Sequence, residues 1–409
     1  MRFGKPVCAA LSALFIFGLS ALSPAESGMT VISPAFAEES AEGENRTDVP
    51  SLAWFEEKGL TLGESSVAYP ALRDGMTEED TAREINDRIL DDGGIRDYVT
   101  RISQLISGGK LEVSWEGAVL GPVFSFAVSA EGAVSTPRNT FVWTGGNIDL
   151  RDGHEVTWEE LFPDPDGARA AAEAYLEEEL FPELSAHLLN SELTPAPDLF
   201  RMTERGLILL YPMDRLSTLS DRAGDALIPW SALRAQLDPS EEGLPAAMGL
   251  THLLTLAENT AEIAARTEAG EIPGIPAKLG DGLQALTDQR HLLIDPDVYV
   301  NGRMFSLEGA DFQGVFLLTD YLSESWEESA VDGIRMDQGS FLGLTVGETA
   351  REEWLEILGA PDHTLEMDAE TAEAYRTVPG TRDYYVYGDN RLQLHAAEDG
   401  TLVSVILSE

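Results

Sequence analysis

The chain holds almost no cysteine and little positive charge for its length. Of 409 residues a single one is cysteine, Cys8. It sits inside an N-terminal apolar run, so the chain beyond that run carries no thiol. Disulfides and thiol catalysis are thereby excluded there, even in an oxidising compartment. Lys and Arg together number 27 against 72 Asp and Glu, a net charge of −45. Nucleic acid needs a basic footprint and anionic membrane surfaces attract one, so neither is an expected partner. Such acidity serves solubility through mutual repulsion, or it steers a basic partner.

Local catalytic and metal motifs are also missing. The six histidines, His154, His187, His252, His291, His363 and His395, form neither His-x-x-x-His nor His-Glu-x-x-His, the local spacings that place two zinc ligands on one helix face. His154 falls in a turn and is expected to face solvent. Asp164-Pro165-Asp166-Gly167 hints at calcium, but the twelfth position of an EF-hand loop, where a glutamate is needed, is Tyr175, so it reads as a turn. Neither Gly-x-Ser-x-Gly nor Ser-x-x-Lys with its partner motifs occurs. Gly108-Gly109-Lys110 lacks the glycine spacing of a phosphate loop. Carboxylates are too dense for any pair to nominate a hydrolase. The expectation is therefore no catalytic residue, no metal ligand and no cofactor, with the binding surface unknown. Tyr384, Tyr385 and Tyr387 either line a carbohydrate or peptide surface, or split between the core and cross-strand packing.

What is present begins with a targeting segment. Arg2 and Lys5 precede roughly 16 apolar or small residues from Val7 to Leu22, short for a spanning helix. Ser23-Pro24-Ala25 and Ala35-Phe36-Ala37 each offer small residues where a signal peptidase reads. Residues 1–37 are expected to be a signal peptide cleaved after Ala37, with Ala25 the alternative and an uncleaved anchor left open. The expected location is secreted or extracytoplasmic. Residues 38–50 read as an acidic linker, and no later run approaches membrane-spanning length.

The whole chain is 43% hydrophobic, and the length beyond the N-terminal segment suits globular modules. Asn139 to Phe162 reads as a hairpin, with strands at Thr140–Trp143 and Ile148–Leu150 joined at Gly145-Gly146-Asn147. Arg151-Asp152-Gly153 makes a second turn, and Thr157 with Glu160 fits a capping box. Before it, the reading is a strand over Leu60–Tyr69 closed by Pro70, a helix burying Ala82, Ile85 and Ile89, and a helix from Tyr98 through Leu105 to Gly108-Gly109. Strands follow at Lys110–Trp115 and Val123–Val128. After it come a helix over Gly167–Leu189 interrupted at Pro182, a hairpin around Glu204-Arg205-Gly206, and a strand at Ala226–Trp230. Helices and antiparallel hairpins in this order predict an α+β fold.

The order Tyr69-Pro70, Ile85-Asn86, Asn139-Thr140-Phe141, Trp158-Glu159-Glu160-Leu161-Phe162, the Gly206 hairpin and Ile228-Pro229-Trp230 resembles the extracytoplasmic domain shared by lysozyme-sensing anti-sigma factors and the N-terminal part of some peptidoglycan deacetylases. The likeness covers about 51–238, and it implies a binding domain rather than a catalytic one. The anti-sigma segment ahead of the apolar run and a deacetylase domain are not recognised here.

Residues 239–290 read as a helical connector broken at Ile272-Pro273-Gly274-Ile275-Pro276. The second module, 291–409, opens with a hairpin at Asn301-Gly302. It continues with a strand at Gly314–Leu318, a helix over Ala350–Leu358 boxed by Thr349 and Glu352, and strands at Asp383–Tyr387, Arg391–Ala396 and Leu402–Leu407. Through Leu358-Gly359-Ala360-Pro361-Asp362 it resembles small α/β modules of the outer-membrane-assembly lipoprotein and β-lactamase-inhibitor type, which implies a protein-binding surface. The whole is expected to be an exported, non-catalytic binding protein of two antiparallel modules joined by a helical connector. Its expected partner is a basic, lysozyme-like protein or a cell-wall glycan. The alternatives are a peptidoglycan-acting enzyme with a carboxylate site outside known motifs, or an envelope scaffold.

Overall fold

A computed structural model describes residues 49–104, 109–133, 140–180, 196–211, 224–238, 240, 242–288, 297–300, 302–307, 309–320 and 325–409. The expected signal peptide and nearly all of the acidic linker lie outside these residues, as do Leu105, Gly108, Asn139, Pro182, His187, His291 and Asn301. Among the described residues no helix is long and apolar enough to cross a membrane. The architecture is α+β, with antiparallel pairing dominant.

The first sheet has the order β1-β2-β3-β4-β5, formed by β1 (Phe55–Leu62), β2 (Ser65–Leu72), β3 (Lys110–Leu120), β4 (Val123–Ala133) and β5 (Thr140–Asp149). Helices α1 (Glu79–Asp92) and α2 (Ile95–Gln104) connect β2 to β3, the one parallel pair among the described residues. Alternation along β4 divides its side chains between two cores. Phe124, Phe126, Val128 and Ala130 pack with Ile85, Ile89, Ile95, Tyr98 and Ile102 of the helices. Ala127 faces the other way, onto Ile208, Leu210 and Leu227. Those belong to a three-stranded sheet of β6 (Phe200–Met202), β7 (Gly206–Leu210) and β8 (Asp225–Pro229). Its far face packs on α3 (Trp158–Leu161), α4 (Pro165–Tyr175) and α5 (Trp230–Leu233). A fully apolar strand such as Gly206–Leu210 is what burial on both faces requires.

Three expectations need correction in this region. Gly145-Gly146-Asn147 is no hairpin turn, because β5 runs unbroken and pairs with β4 from Thr140 to Asp149. The glycines serve close approach instead: a Cβ at Gly145 would lie 2.3 Å from the Phe126 carbonyl oxygen. The expected strand at Leu60–Tyr69 is two strands turning at Gly63, whose φ is 65°. Pro70 does not close β2, since it pairs opposite Glu57 beyond the short stretch joined to β3, and so needs no N–H on that side. The Thr157–Glu160 capping box is present. Asp164-Pro165-Asp166-Gly167 opens α4, with the Asp164 carboxylate accepting from the Gly167 N–H at 3.0 Å.

Residues of the expected connector form short helices α6 (Leu244–Ala247), α7 (Leu250–Leu253), α8 (Thr260–Ala269) and α9 (Leu283–Asp288). The second sheet has eight antiparallel strands. They are β9 (Asp297–Tyr299), β10 (Gly302–Ser306), β11 (Val315–Thr319), β12 (Gly333–Met336), β15 (His363–Met367), β16 (Gly380–Tyr387), β17 (Asn390–Ala397) and β18 (Leu402–Ser408), while β13 (Ser340–Phe341) and β14 (Leu344–Thr345) pair separately. The spatial order is β15-β16-β17-β18-β12-β11-β10-β9. One face is apolar and packs Ile263, Leu283 and Trp354 against Leu317, Ile334, Leu392, Leu394, Val405 and Leu407. Helix α10 (Arg351–Leu358) starts at Ala350 without a side-chain cap, so Thr349 and Glu352 form no capping box there. The Thr349 hydroxyl instead accepts from the Thr345 N–H at 2.8 Å.

Two buried arginines tie the modules together. Arg201 reaches Glu116 at 3.0 Å and Asp311 at 2.7 Å. Arg205 donates to the backbone carbonyls of Asp311, of Gln313 at 2.9 Å and of Gln338 at 3.3 Å. Burial lowers the Arg205 pKa to about 10.

Candidate anion-binding site

The second face of the eight-stranded sheet carries the site. A strand sends successive side chains to opposite faces. With Asp383 and Tyr385 directed to the packed side, Arg382 and Tyr384 fall on the open one. The same parity in the partner strands places Arg391, Gln393 and His395 of β17, Ser404, Ile406 and Ser408 of β18, and Gly333 and Arg335 of β12 on that face. Register then assembles cross-strand rows. Arg382 stands opposite His395 and His395 opposite Ser404; Tyr384, Gln393, Ile406 and Arg335 form the next row.

Helix α11 (Ala369–Ala374) leads into a segment that crosses this face. Arg335 donates to the Tyr375 carbonyl at 3.1 Å and the Arg376 carbonyl at 2.9 Å. His395 Nε2 meets the Val378 carbonyl at 2.8 Å. On the far side, Arg376 Nε donates to the Val298 carbonyl at 2.7 Å. Between this segment and the sheet lies a cavity of about 280 Å³, with Arg335, Arg382, Arg391, Tyr299, Tyr375 and Tyr384 in its wall. Met304, Leu318 and Ile406 supply apolar wall, and Asp332 and Glu409 line it as well.

Three arginines in one cavity are conspicuous in a chain with a net charge of −45, and their neighbours treat them differently. Arg335 is held by Asp337 at 2.6 Å. Arg382 is only 3% exposed. Its guanidinium lies 5.2 Å from the Tyr375 ring centroid, and one Nη reaches Gln393 at 3.4 Å. Its Nε and Nη2 are buried and have no hydrogen-bond partner among the described residues. The same is true of His395 Nδ1 and Ser404 Oγ. Burial pulls the Arg382 pKa down and Arg335 adds to that, opposed first by Tyr384, whose hydroxyl also hydrogen-bonds the guanidinium, and then by Tyr375. A buried guanidinium that still lacks a full set of acceptors is costly to maintain for stability alone.

The next residue shows what such a fork does when an acid occupies it. On the packed side of the same strand, Arg351 Nε and Nη2 hold the two Asp383 oxygens at 2.8 and 2.9 Å. Nε and Nη2 of Arg382 are the same pair of donors, with spacing matched to a carboxylate, phosphate or sulfate.

His395 is fully buried and its pKa falls to about 4, first through burial and then through Arg382 and Arg335, against the opposing Val378 carbonyl. Its Nε2 carries the proton toward that carbonyl, leaving Nδ1 as an acceptor. The unfolded chain takes up a proton near pH 6.5, whereas the folded chain resists until about pH 4. The imidazole therefore costs no stability above pH 6.5 and progressively more as pH falls toward 4. Between pH 7 and 4 the wild type should lose about 3 kcal/mol relative to His395→Gln, at about 1.4 kcal/mol per pH unit. Urea titrations of both proteins across that range check this, and a pH-independent difference would exclude it.

The structure separates the sequence candidates. Tyr384 enters the cavity wall. Tyr385 turns to the packed side, 4% exposed, and donates to the Gly359 carbonyl at 3.0 Å; Tyr387 packs beside the same core. The tyrosines thus split, as strand alternation allows. His154 is partly exposed, as expected for a turn, between Asp152 at 2.6 Å and Glu160 at 3.1 Å. The Asp152 bond is the first cause of its raised pKa. Among the described residues no His, Cys, Asp and Glu group has the arrangement of a metal site. Arg335, Arg382 and Arg391 were not singled out by sequence. The available signal was polar residues at alternate positions, Arg391-x-Gln393-x-His395 and Arg382-x-Tyr384, on strands whose other face is apolar.

No family model and no curated protein matches the sequence. Among solved structures, the chain is similar to a DUF3298 family protein from Pseudomonas aeruginosa at 10% identity and a TM-score of 0.35, over 47% of this chain and 95% of that one. It is similar to a DUF3298 family member from Bacteroides fragilis at 9% identity and a TM-score of 0.34, over 49% and 96%. A DUF4309 family protein from Bacillus subtilis shares 16% identity at a TM-score of 0.28, over 37% and 96%. Likenesses of this size say nothing about ligand or activity.

Proposed function

We propose that this is an exported, non-catalytic binding protein that holds a small acid-bearing ligand against the open face of its C-terminal sheet. The observation behind this reading is Arg382, a buried cation in a cavity wall whose Nε and Nη2 lack acceptors among the described residues. Export is supported by the basic start, the apolar run and the Ala35-Phe36-Ala37 box. Calorimetric titration of the full chain with acetate, phosphate and sulfate tests the binding site. At least one anion should give saturable heat in the wild type and none in Arg382→Met, while equal heats in both proteins would refute the assignment.

A second reading is favoured by the net charge of −45 and by the resemblance of 51–238 to lysozyme-sensing domains: the acidic surface recruits a basic, lysozyme-like protein. That binding would weaken steeply with salt and be indifferent to Arg382→Met. Capture of lysozyme that does not respond to salt, or no capture at all, counts against it.

A further inference from the structure

The three arginines of the cavity wall are not equally free. Arg335 is held by Asp337 at 2.6 Å. Arg391 stands opposite Ser408, and Ser408 opposite Gly333. Glu409 and Asp332 are each one residue from that row, so they bring two carboxylates to the same part of the wall. Burial raises the Asp332 pKa, and Asp320 and Glu409 raise it further, against a backbone N–H of Asp320. Added negative charge is unwelcome there. Arg382 differs: no carboxylate is bonded to it among the described residues, and its Nε and Nη2 stay without acceptors. The deficit is a single negative charge. Apolar surface lies around it. The Tyr375 ring centroid is 5.2 Å from the guanidinium. Ile406 stands in the next row, two strands from β16, about 10 Å across the sheet. Two strands further on, Leu318 stands opposite Gly333, which adds no side chain to the floor.

We infer that the cavity takes an aliphatic monocarboxylic acid, its carboxylate in the Arg382 fork and its hydrocarbon chain over Tyr375 and Ile406. This rests on the acid-binding reading above and narrows it. One carboxylate supplies both acceptors that Nε and Nη2 need and neutralises the guanidinium that no carboxylate holds. A second negative charge on the ligand would find Arg335 and Arg391 already offset, and would lose its water without a new partner. That disfavours phosphate, sulfate and dicarboxylates. The hydrocarbon chain covers wall that a small hydrated anion would leave wet.

The test is calorimetry of the full chain with acetate, butyrate, hexanoate and octanoate, and with succinate, phosphate and sulfate. Affinity should rise along the first series, by about fourfold for each methylene fully buried. Butyrate should bind at least tenfold more tightly than succinate, which has the same number of carbons and a second carboxylate. Ile406→Thr should weaken hexanoate about tenfold and leave acetate unchanged, which also shows that the variant is folded. Arg382→Gln should abolish binding of the whole series; octanoate held equally well by that variant would reduce the cavity to a greasy surface and overturn the inference. An affinity flat from acetate to octanoate, or succinate, phosphate or sulfate binding as tightly as butyrate, would overturn the monocarboxylate inference while acid binding stands. Silence from every probe would overturn both.

Discussion

Arg382→Met is expected to make the protein more stable and, in the same stroke, unable to bind. The guanidinium is 3% exposed, with one weak bond to Gln393, the Tyr384 hydroxyl beside it and a ring contact to Tyr375. Replacing a poorly compensated buried charge by an apolar side chain of similar length commonly stabilises by about 1–4 kcal/mol. The lost cation–π contact takes back about 0.5–2 kcal/mol. A net gain of about 1–2 kcal/mol should appear in chemical denaturation, in a buffer free of carboxylate, phosphate and sulfate. A saturating ligand reverses the order: at a hundred times its Kd it stabilises the wild type by about 2.7 kcal/mol and the variant not at all. The crossing of the two stability curves is the signature. A variant less stable than the wild type without ligand would mean that Arg382 is structural.

The neighbouring residue should behave in the opposite sense. Asp383 is fully buried and accepts two bonds from Arg351, one from Thr364 at 2.7 Å and one from Trp354 Nε1 at 3.2 Å. Burial raises its pKa, but these four bonds outweigh it and the net shift is downward. Asp383→Ala leaves Arg351 and Trp354 without their acceptor and should cost about 3–5 kcal/mol at neutral pH, the scale for breaking a buried pair from one side. The folded pKa lies below the unfolded value near 3.9. The stabilisation is therefore fully present above that value and is lost as pH falls through the folded pKa. The gap between wild type and variant should narrow as pH falls through the folded pKa, by the amount the pKa shift carries. A cost that persists undiminished to pH 2 would assign the effect to packing.

These adjacent residues also show what could be read in the sequence. Period two along Asp383–Tyr387, Arg391–Ala396 and Leu402–Leu407 marked strands with one apolar face; the polar face carrying Arg391 and His395 follows from the same parity but was not drawn, and Arg382 lies one residue before the expected strand. Arg335 could not be added, because β12 is only four residues long, Gly333–Met336, and reaches the row by pairing with β18, the last strand described. Such long-range register leaves no local trace. Gly145-Gly146 misled for a related reason: two glycines suit a hairpin turn and a close strand approach equally, and only the position of Phe126 decides. The hairpin whose turn chemistry was local, around Glu204-Arg205-Gly206, was legible. The cavity was not, because it also needs the segment after α11 to cross the sheet.

The most direct measurement is the Arg382 Nε–H resonance followed by NMR as an acid is titrated into the full chain. Arg351 supplies the internal reference, since its Nε already donates to a carboxylate at 2.8 Å. Formation of a charge-assisted fork should carry the Arg382 signal toward the Arg351 position and saturate with the calorimetric Kd. An Arg382 signal that stays in place while other resonances report binding would contradict the central claim.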